Sequence, residues 1–228
     1  MRIDKFICKS TELTRIEASA FLQAGKVLVD GKVFTNGATQ VHEDNCVRLN
    51  GKRLISRPSR YIMVNKPKNI LCSNVDEAYP SLFHQIQVEK AFDLHVAGRL
   101  DADTTGLVLV TDDGRWSYNI ITPDKECKKT YRVTLRDEIK DAVVEQFKAG
   151  VLLQGMEKPT RPAHLEIVNK KEVLLTLTEG KFHQVKRMFR AVGNRVRALH
   201  RESIGSIQLD IGLGEWRYLT LREINEFK

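Results

Sequence analysis

Residues 97–114 read AGRLDADTTGLVLVTDDG. Residues 107–110 are a short apolar run of the length of a buried strand, with a turn expected at Asp112-Asp113-Gly114 and flexible, hydroxyl-rich backbone at Thr104-Thr105-Gly106. The loop leading into the strand carries Arg99, Asp101 and Asp103 within five residues. A carboxylate on a loop held by a buried strand is a common way to build a site, because the strand sets position and the loop leaves the reacting group accessible. By spacing alone the same residues also read as an ordinary polar lead-in to a strand.

Working outward, residues 61–65 read as a strand stopped at Lys66-Pro67, with Lys66 as basic surface. Downstream, residues 129–135 alternate, placing Tyr131, Val133 and Leu135 on one face. Ile139, Val143, Val144 and Phe147 have helical spacing that ends at Gly150, and residues 164–168 and 173–177 form a further strand pair. In EGKFHQVKRM, residues 179–188, a helix ending at Gly193 gathers Phe182, Val185, Met188, Phe189 and Val192 on one side. His183, Arg187 and Arg190 point away from that side, and Lys186 lies at its margin, where a lysine can bury its stem and deliver its ammonium to a pocket. The elements mix without a regular β-α-β rhythm, which predicts the α+β class.

The N-terminal 56 residues read as a separate helix-plus-hairpin unit. Thr14-Arg15-Ile16-Glu17 has the form of a capping box, opening a helix with Leu13, Ile16, Ala20, Phe21 and Ala24 on one face and Gly25 as its stop. Asp30-Gly31 and Asn50-Gly51 are hairpin turns between short apolar strands. Residues 51–60, GKRLISRPSR, read as a basic linker. The expected division is therefore 1–56 and 57–228.

Composition narrows the function. The 228 residues carry a net charge of +8, which points to a polyanionic partner. Residues 1–60 hold 11 Lys and Arg against 6 Asp and Glu, and residues 181–201 hold seven basic residues and no acidic one. No apolar run approaches a membrane span and the start has no signal-peptide core, so a cytoplasmic protein is expected. Four cysteines without a C-x-x-C pair argue against a zinc ribbon or a disulfide framework. There is no G-x-G-x-x-G, P-loop or H-E-x-x-H, so no dinucleotide, ATP or catalytic metal is implied.

These motifs, in their order, resemble the pseudouridine synthases, in particular the branch that modifies ribosomal RNA. The matches are Asn65-Lys66-Pro67, Gly98-Arg99-Leu100-Asp101, Lys129-x-Tyr131 and the 179–188 motif. The N-terminal unit resembles the RNA-binding module of a small-subunit ribosomal protein, some tyrosyl-tRNA synthetases and many rRNA-modifying enzymes. It does so through residues 2–6, Arg15, Gly25-Lys26-Val27 and Val29-Asp30-Gly31. The resemblance implies an α+β protein whose small N-terminal module precedes a mixed, mostly antiparallel-sheet catalytic domain.

The resemblance makes Asp101 the catalytic residue, pairs it with Lys186, and assigns Tyr131 to the pocket floor, stacked on the target uracil. Taken alone, Tyr131 reads as core and the 179–188 motif as an amphipathic helix with a basic face. Leu177 matches a pocket leucine of the family, although as a strand residue it reads equally as core, and Arg99 is expected to hold RNA backbone or the flipped nucleotide. Arg2, Lys5, Arg15, Lys26, Arg187 and Arg190 are the expected RNA contacts, reading shape more than sequence. His183 and His200 read as phosphate or surface contacts. The family motif has Arg where this chain has Lys186, which keeps the charge but loses the bidentate fork.

The expected reaction is isomerisation of one uridine in small-subunit ribosomal RNA, without cofactor or metal, by a monomer acting on an assembling ribonucleoprotein particle. Asp101 acts as nucleophile or as base toward the sugar. The rivals are the same chemistry on large-subunit rRNA or tRNA, and a non-catalytic RNA-binding assembly factor.

Overall fold

In the computed structural model, which describes residues 1–42 and 44–228, the chain separates into a unit of Met1–Ser59 and one of Arg60–Lys228. In the first, α1 (Ile3–Ser10) and α2 (Arg15–Gln23) precede β1 (Val27–Val29), β2 (Lys32–Val33), β3 (Val47–Leu49) and β4 (Lys52–Arg53). The strands form a sheet in the order β2-β1-β3-β4. The capping box is closed in both directions, Glu17 N–H to Thr14 Oγ1 and Thr14 N–H to Glu17 Oε2. Both hairpin turns hold left-handed residues in succession, Asp30 and Gly31 at φ 49° and 81° and Asn50 and Gly51 at 48° and 80°.

Three expectations for this unit need correction. α1 was not anticipated; it buries Ile3 and Ile7. Because α2 packs on that helix, its buried residues are Ala18 and Leu22, while Ile16 is 84% exposed and Ala20 and Ala24 also face solvent. The supposed linker begins with a strand: Lys52 and Arg53 pair with β3, and Leu54 packs into the core.

The second unit is built on one large sheet. Its elements are β5 (Tyr61–Lys66), β6 (His95–Ala97), β7 (Thr105–Thr111), α3 (Gly114–Ile121), β8 (Lys129–Leu135), α4 (Ala142–Ala149), β9 (His164–Asn169) and β10 (Glu172–Leu177). They continue with α5 (Gln184–Ala191), β11 (Val196–Ile204), β12 (Ile207–Gln208), β13 (Trp216–Tyr218) and α6 (Leu221–Asn225). The nine strands run β13-β5-β7-β11-β8-β10-β9, with β12 beside β11 and β6 beside β7. Pairing is antiparallel throughout these strands except between β7 and β11.

The 107–110 run is apolar at every position because both faces of β7 are covered. Leu107 and Leu109 pack with Met63, Trp116 and Ile204 on one side. Val108 and Val110 pack with Ile62, Val64, Leu82 and Phe83 on the other. A third core lies between β8, β10, α4 and α5, where Phe147 and Phe189 meet at 5.0 Å between centroids.

The sequence expectations at both ends of β7 also change. Asp113 does not simply turn the chain; its carboxylate accepts from Arg115 N–H and Trp116 N–H and caps α3, a helix the pattern did not reveal. Nor is Gly106 flexible backbone, since it lies within β7 at φ 108°. A Cβ there would sit 2.6 Å from the backbone nitrogen of Arg201 and closer still to its carbonyl oxygen. Glycine is required by the close approach of β7 and β11.

Candidate active site

Asp101 lies on the loop between β6 and β7, and the loop is held by two buried cations. Lys66, at the end of β5, has no solvent exposure, contrary to the surface role expected of it. Its ammonium donates to the carbonyls of Pro67 at 2.8 Å, Ile70 at 2.9 Å and Ala102 at 3.2 Å. Asn69 N–H also donates to Ala102, at 2.8 Å, and Thr104 N–H closes a turn on the Asp101 carbonyl at 3.1 Å. Arg201, one of the seven basic residues in 181–201, is 2% exposed. Its guanidinium donates to Gly98 and Leu107 carbonyls, each at 2.7 Å, and so ties the start of the loop to β7. Its remaining nitrogen lies 3.3 Å from the Tyr131 hydroxyl, and its carbon stands 5.8 Å from the centre of that ring.

Asp101, Arg99, Tyr131, Leu177 and Lys186 all line one cavity of about 110 Å³. They arrive there from four places: the β6–β7 loop, β8, β10 and α5. Lys186 Nζ donates to Asp101 Oδ2 at 2.8 Å and to Asp103 Oδ1 at 2.6 Å, so one ammonium bridges both carboxylates. Burial works against the Lys186 charge, but these hydrogen bonds and charges outweigh it and raise its pKa above the usual lysine value. Asp103 shows the converse: burial would raise its pKa, yet the bond to Lys186 brings it below the usual carboxylate value.

The cavity wall also includes His183, which the sequence reads as a phosphate or surface contact, and Glu179, to which it gives no role of its own. His183 Nε2 is 3.6 Å from Asp101 Oδ1. Glu179 is buried at the start of the motif, paired with Lys181 and accepting from Gln184 Nε2 at 2.8 Å and Arg161 N–H at 3.0 Å. Those bonds hold the turn from which α5 departs. The signal for Lys66 and Arg201 was present only as a basic residue at the end or middle of an apolar strand pattern, which by itself does not separate a buried cation from an exposed one.

The other predicted contacts are placed differently. Arg187 spends its guanidinium on the Phe182 and Gln154 carbonyls, while Arg190 is exposed on α5. In the N-terminal unit, Arg2 and Arg15 both pair with the buried Asp4, at 2.7 Å and 3.2 Å, beside a surface hollow that also includes Ile16 and Gln23. Lys26 is exposed and Lys5 partly so. Among the described residues no group of His, Cys, Asp and Glu has the make-up to hold a metal ion.

One pocket thus gathers a carboxylate, an ammonium and an aromatic ring. A family model for RNA pseudouridylate synthase matches residues 60–191, and one for the S4 domain matches residues 1–47. The chain belongs to the RNA pseudouridylate synthase family. It is 49% identical over 229 residues to the ribosomal small subunit pseudouridine synthase A of Vibrio parahaemolyticus serotype O3:K6, covering 99% of this chain and 98% of the relative. It is 45% identical to the protein of that name from Escherichia coli strain K12, covering 98% of each. A crystal structure of a pseudouridylate synthase superposes with a TM-score of 0.74 at 41% identity, covering 100% of both chains.

Proposed function

We propose that this chain converts a uridine of small-subunit ribosomal RNA to pseudouridine, with Asp101 as the catalytic carboxylate and no cofactor. In this reaction the bond between uracil N1 and the ribose breaks, the base turns, and C5 bonds to the same sugar carbon. C5 gives up its proton and N1 ends with one, so atoms balance without any outside reactant. The observation that carries the reading is the convergence of Asp101, Lys186 and Tyr131 on one cavity. Asp101 acts on the ribose, as nucleophile or as base. Lys186 orients it, the Tyr131 ring stacks on the uracil, Leu177 packs against the base, and Arg99 holds the backbone of the flipped nucleotide.

The relatives named for the small ribosomal subunit support that RNA as substrate. In this reading residues 1–56 are the RNA-binding module, using Arg2, Lys5, Arg15 and Lys26, and residues 57–228 are the catalytic domain, with Arg187 and Arg190 beside it. The protein acts as a cytoplasmic monomer on an assembling ribonucleoprotein particle. Among the described residues no helix is long and apolar enough to cross a membrane.

The test is incubation with ribosomal RNA carrying tritium on uracil C5, scoring release of tritium to water. Release from small-subunit RNA, absent in Asp101→Asn, is the expected result. No release from any ribosomal RNA would leave a binding protein, and release from large-subunit RNA at an equal or greater rate would move the substrate.

A further inference from the structure

Phe182 breaks the pattern that surrounds it. Helical spacing groups it with Val185, Met188 and Phe189, which are buried, yet Phe182 is 76% exposed. The reason is local: α5 begins only at Gln184, and His183 before it adopts a left-handed φ of 49°, which turns Phe182 off the helix's apolar face. The Phe182 ring lies against the His183 imidazole, with centroids 3.8 Å apart and planes at 22°. His183 in turn lines the Asp101 cavity. An exposed aromatic face therefore stands immediately beside the pocket assigned to the uridine.

Its position is held from behind. Arg187 donates to the Phe182 carbonyl at 3.3 Å and to the Gln154 carbonyl at 2.7 Å, tying this turn to the neighbouring loop. Lys181 and Lys186 are paired with Glu179, Asp101 and Asp103, but the segment that follows adds the exposed Arg190, Arg195 and Arg197, and residues 181–201 contain no Asp or Glu. A flat apolar ring in a cationic setting suits a polyanion that carries stackable faces, which describes unpaired RNA. An acidic protein would match the charge but does not pair each negative charge with a stackable ring, as RNA does.

We propose that the Phe182–His183 stack is the platform for the base next to the target uridine. The proposal rests on the assignment of the Asp101 cavity to that uridine. Taking a uridine out of an RNA stack leaves its neighbour without a partner face, at a cost of a few kcal/mol. A ring beside the pocket recovers part of that cost and marks which strand direction enters the site. Arg187 is then a positioning residue for the platform as well as a cation near RNA.

Two readouts test this. First, tryptophan fluorescence of Phe182→Trp should be quenched by unstructured single-stranded RNA beyond the response of the parent, whose tryptophans are Trp116 and Trp216. Second, on a converted RNA fragment, Phe182→Ala should raise KM about 10-fold to 100-fold, with Phe182→Tyr restoring it and Phe182→Leu not. An RNA with an abasic nucleotide beside the uridine should raise the parent's KM to a similar value and add nothing in Phe182→Ala. Wild-type KM in Phe182→Leu, or fully additive losses with both abasic neighbours, would overturn the platform. Should the parent convert no RNA, the assignment of the cavity falls and the platform falls with it, whereas conversion by the parent with an unchanged KM in Phe182→Ala overturns the platform alone.

Discussion

The buried ammonium of Lys66 donates a 3.2 Å hydrogen bond to the carbonyl of Ala102, the residue that follows Asp101. With Pro67 and Ile70 the lysine's three donors are all satisfied, which is what permits a cation there. Burial pushes its pKa down, while the nearby Asp103 and Asp101 carboxylates act the other way. Lys66→Met keeps the stem and removes the donors, leaving three carbonyls without that partner. A loss of about 2 kcal/mol in unfolding free energy is expected, with a fall in turnover at temperatures where the variant is still folded. Wild-type turnover in the folded variant would show that Lys66 does not position the Asp101 loop.

The Lys186 bridge predicts an ordered series of rates. Asp101→Asn should abolish turnover while RNA affinity holds or rises slightly, since one negative charge near the phosphates is gone. Lys186→Met should lower the single-turnover rate by roughly 10-fold to 100-fold, because it leaves two carboxylates together without their cation. Asp103→Asn should cost less than either, since Lys186 still holds Asp101. The Asp101→Asn, Lys186→Met double variant should be little worse than Asp101→Asn alone. A Lys186→Met rate equal to the parent's would remove the pairing from the mechanism.

Removing residues 1–59 should weaken ribosomal RNA binding and flatten its dependence on salt, because 10 of the chain's 37 Lys and Arg go with them. Residues 60–228 keep their three cores and should still unfold cooperatively. Affinity and salt slope measured by titration at several salt concentrations decide the point; unchanged values would deny the N-terminal unit its role in binding.

Glu223 offers a pH test. The Arg217 side chain bonds to it and, against the effect of burial, holds its pKa down to about 2, assisted by Thr220 at the cap of α6. A carboxyl lowered on folding stabilises fully above its ordinary value of 4.5 and loses that contribution as pH falls toward about 2. Glu223→Gln should cost about 2 kcal/mol at neutral pH after allowance for solvent screening. The gap between the two unfolding free energies should close on acidification. A gap that stays constant from pH 6 to pH 2 would contradict the pairing.

Much of the fold was legible because it is written in local rules. The capping box at Thr14 and Glu17, the turns at Asp30-Gly31 and Asn50-Gly51, and the strand at 129–135 each depend on neighbours a few residues apart. α1 and α3 escaped because their short apolar patterns lack a distinctive local start; the cap of α3, Asp113, reads equally as a turn. Among site residues, Asp101, Tyr131 and Lys186 could be selected from motif order. Lys66 and His183 stand in the same motifs yet read as surface residues, and Arg201 stands in none, because what distinguishes all three is burial or proximity to residues far along the chain.

By itself the sequence determined the class of fold, the basic surface, the loop that bears Asp101 and the strands that frame it. Periodicity, turn chemistry and charge are properties of adjacent residues, and they survive without knowing what packs on what. Only the tertiary structure decided that Gly106 answers to the Arg201 backbone, that Lys66 and Arg201 lie beneath the site, and that Phe182 faces out beside it. Those outcomes follow from the parallel contact of β7 with β11 and from the left-handed turn at His183. Whether a cation or a ring is buried depends on which segments meet it, and contacts across some 35 to 100 residues leave no local trace in the chain.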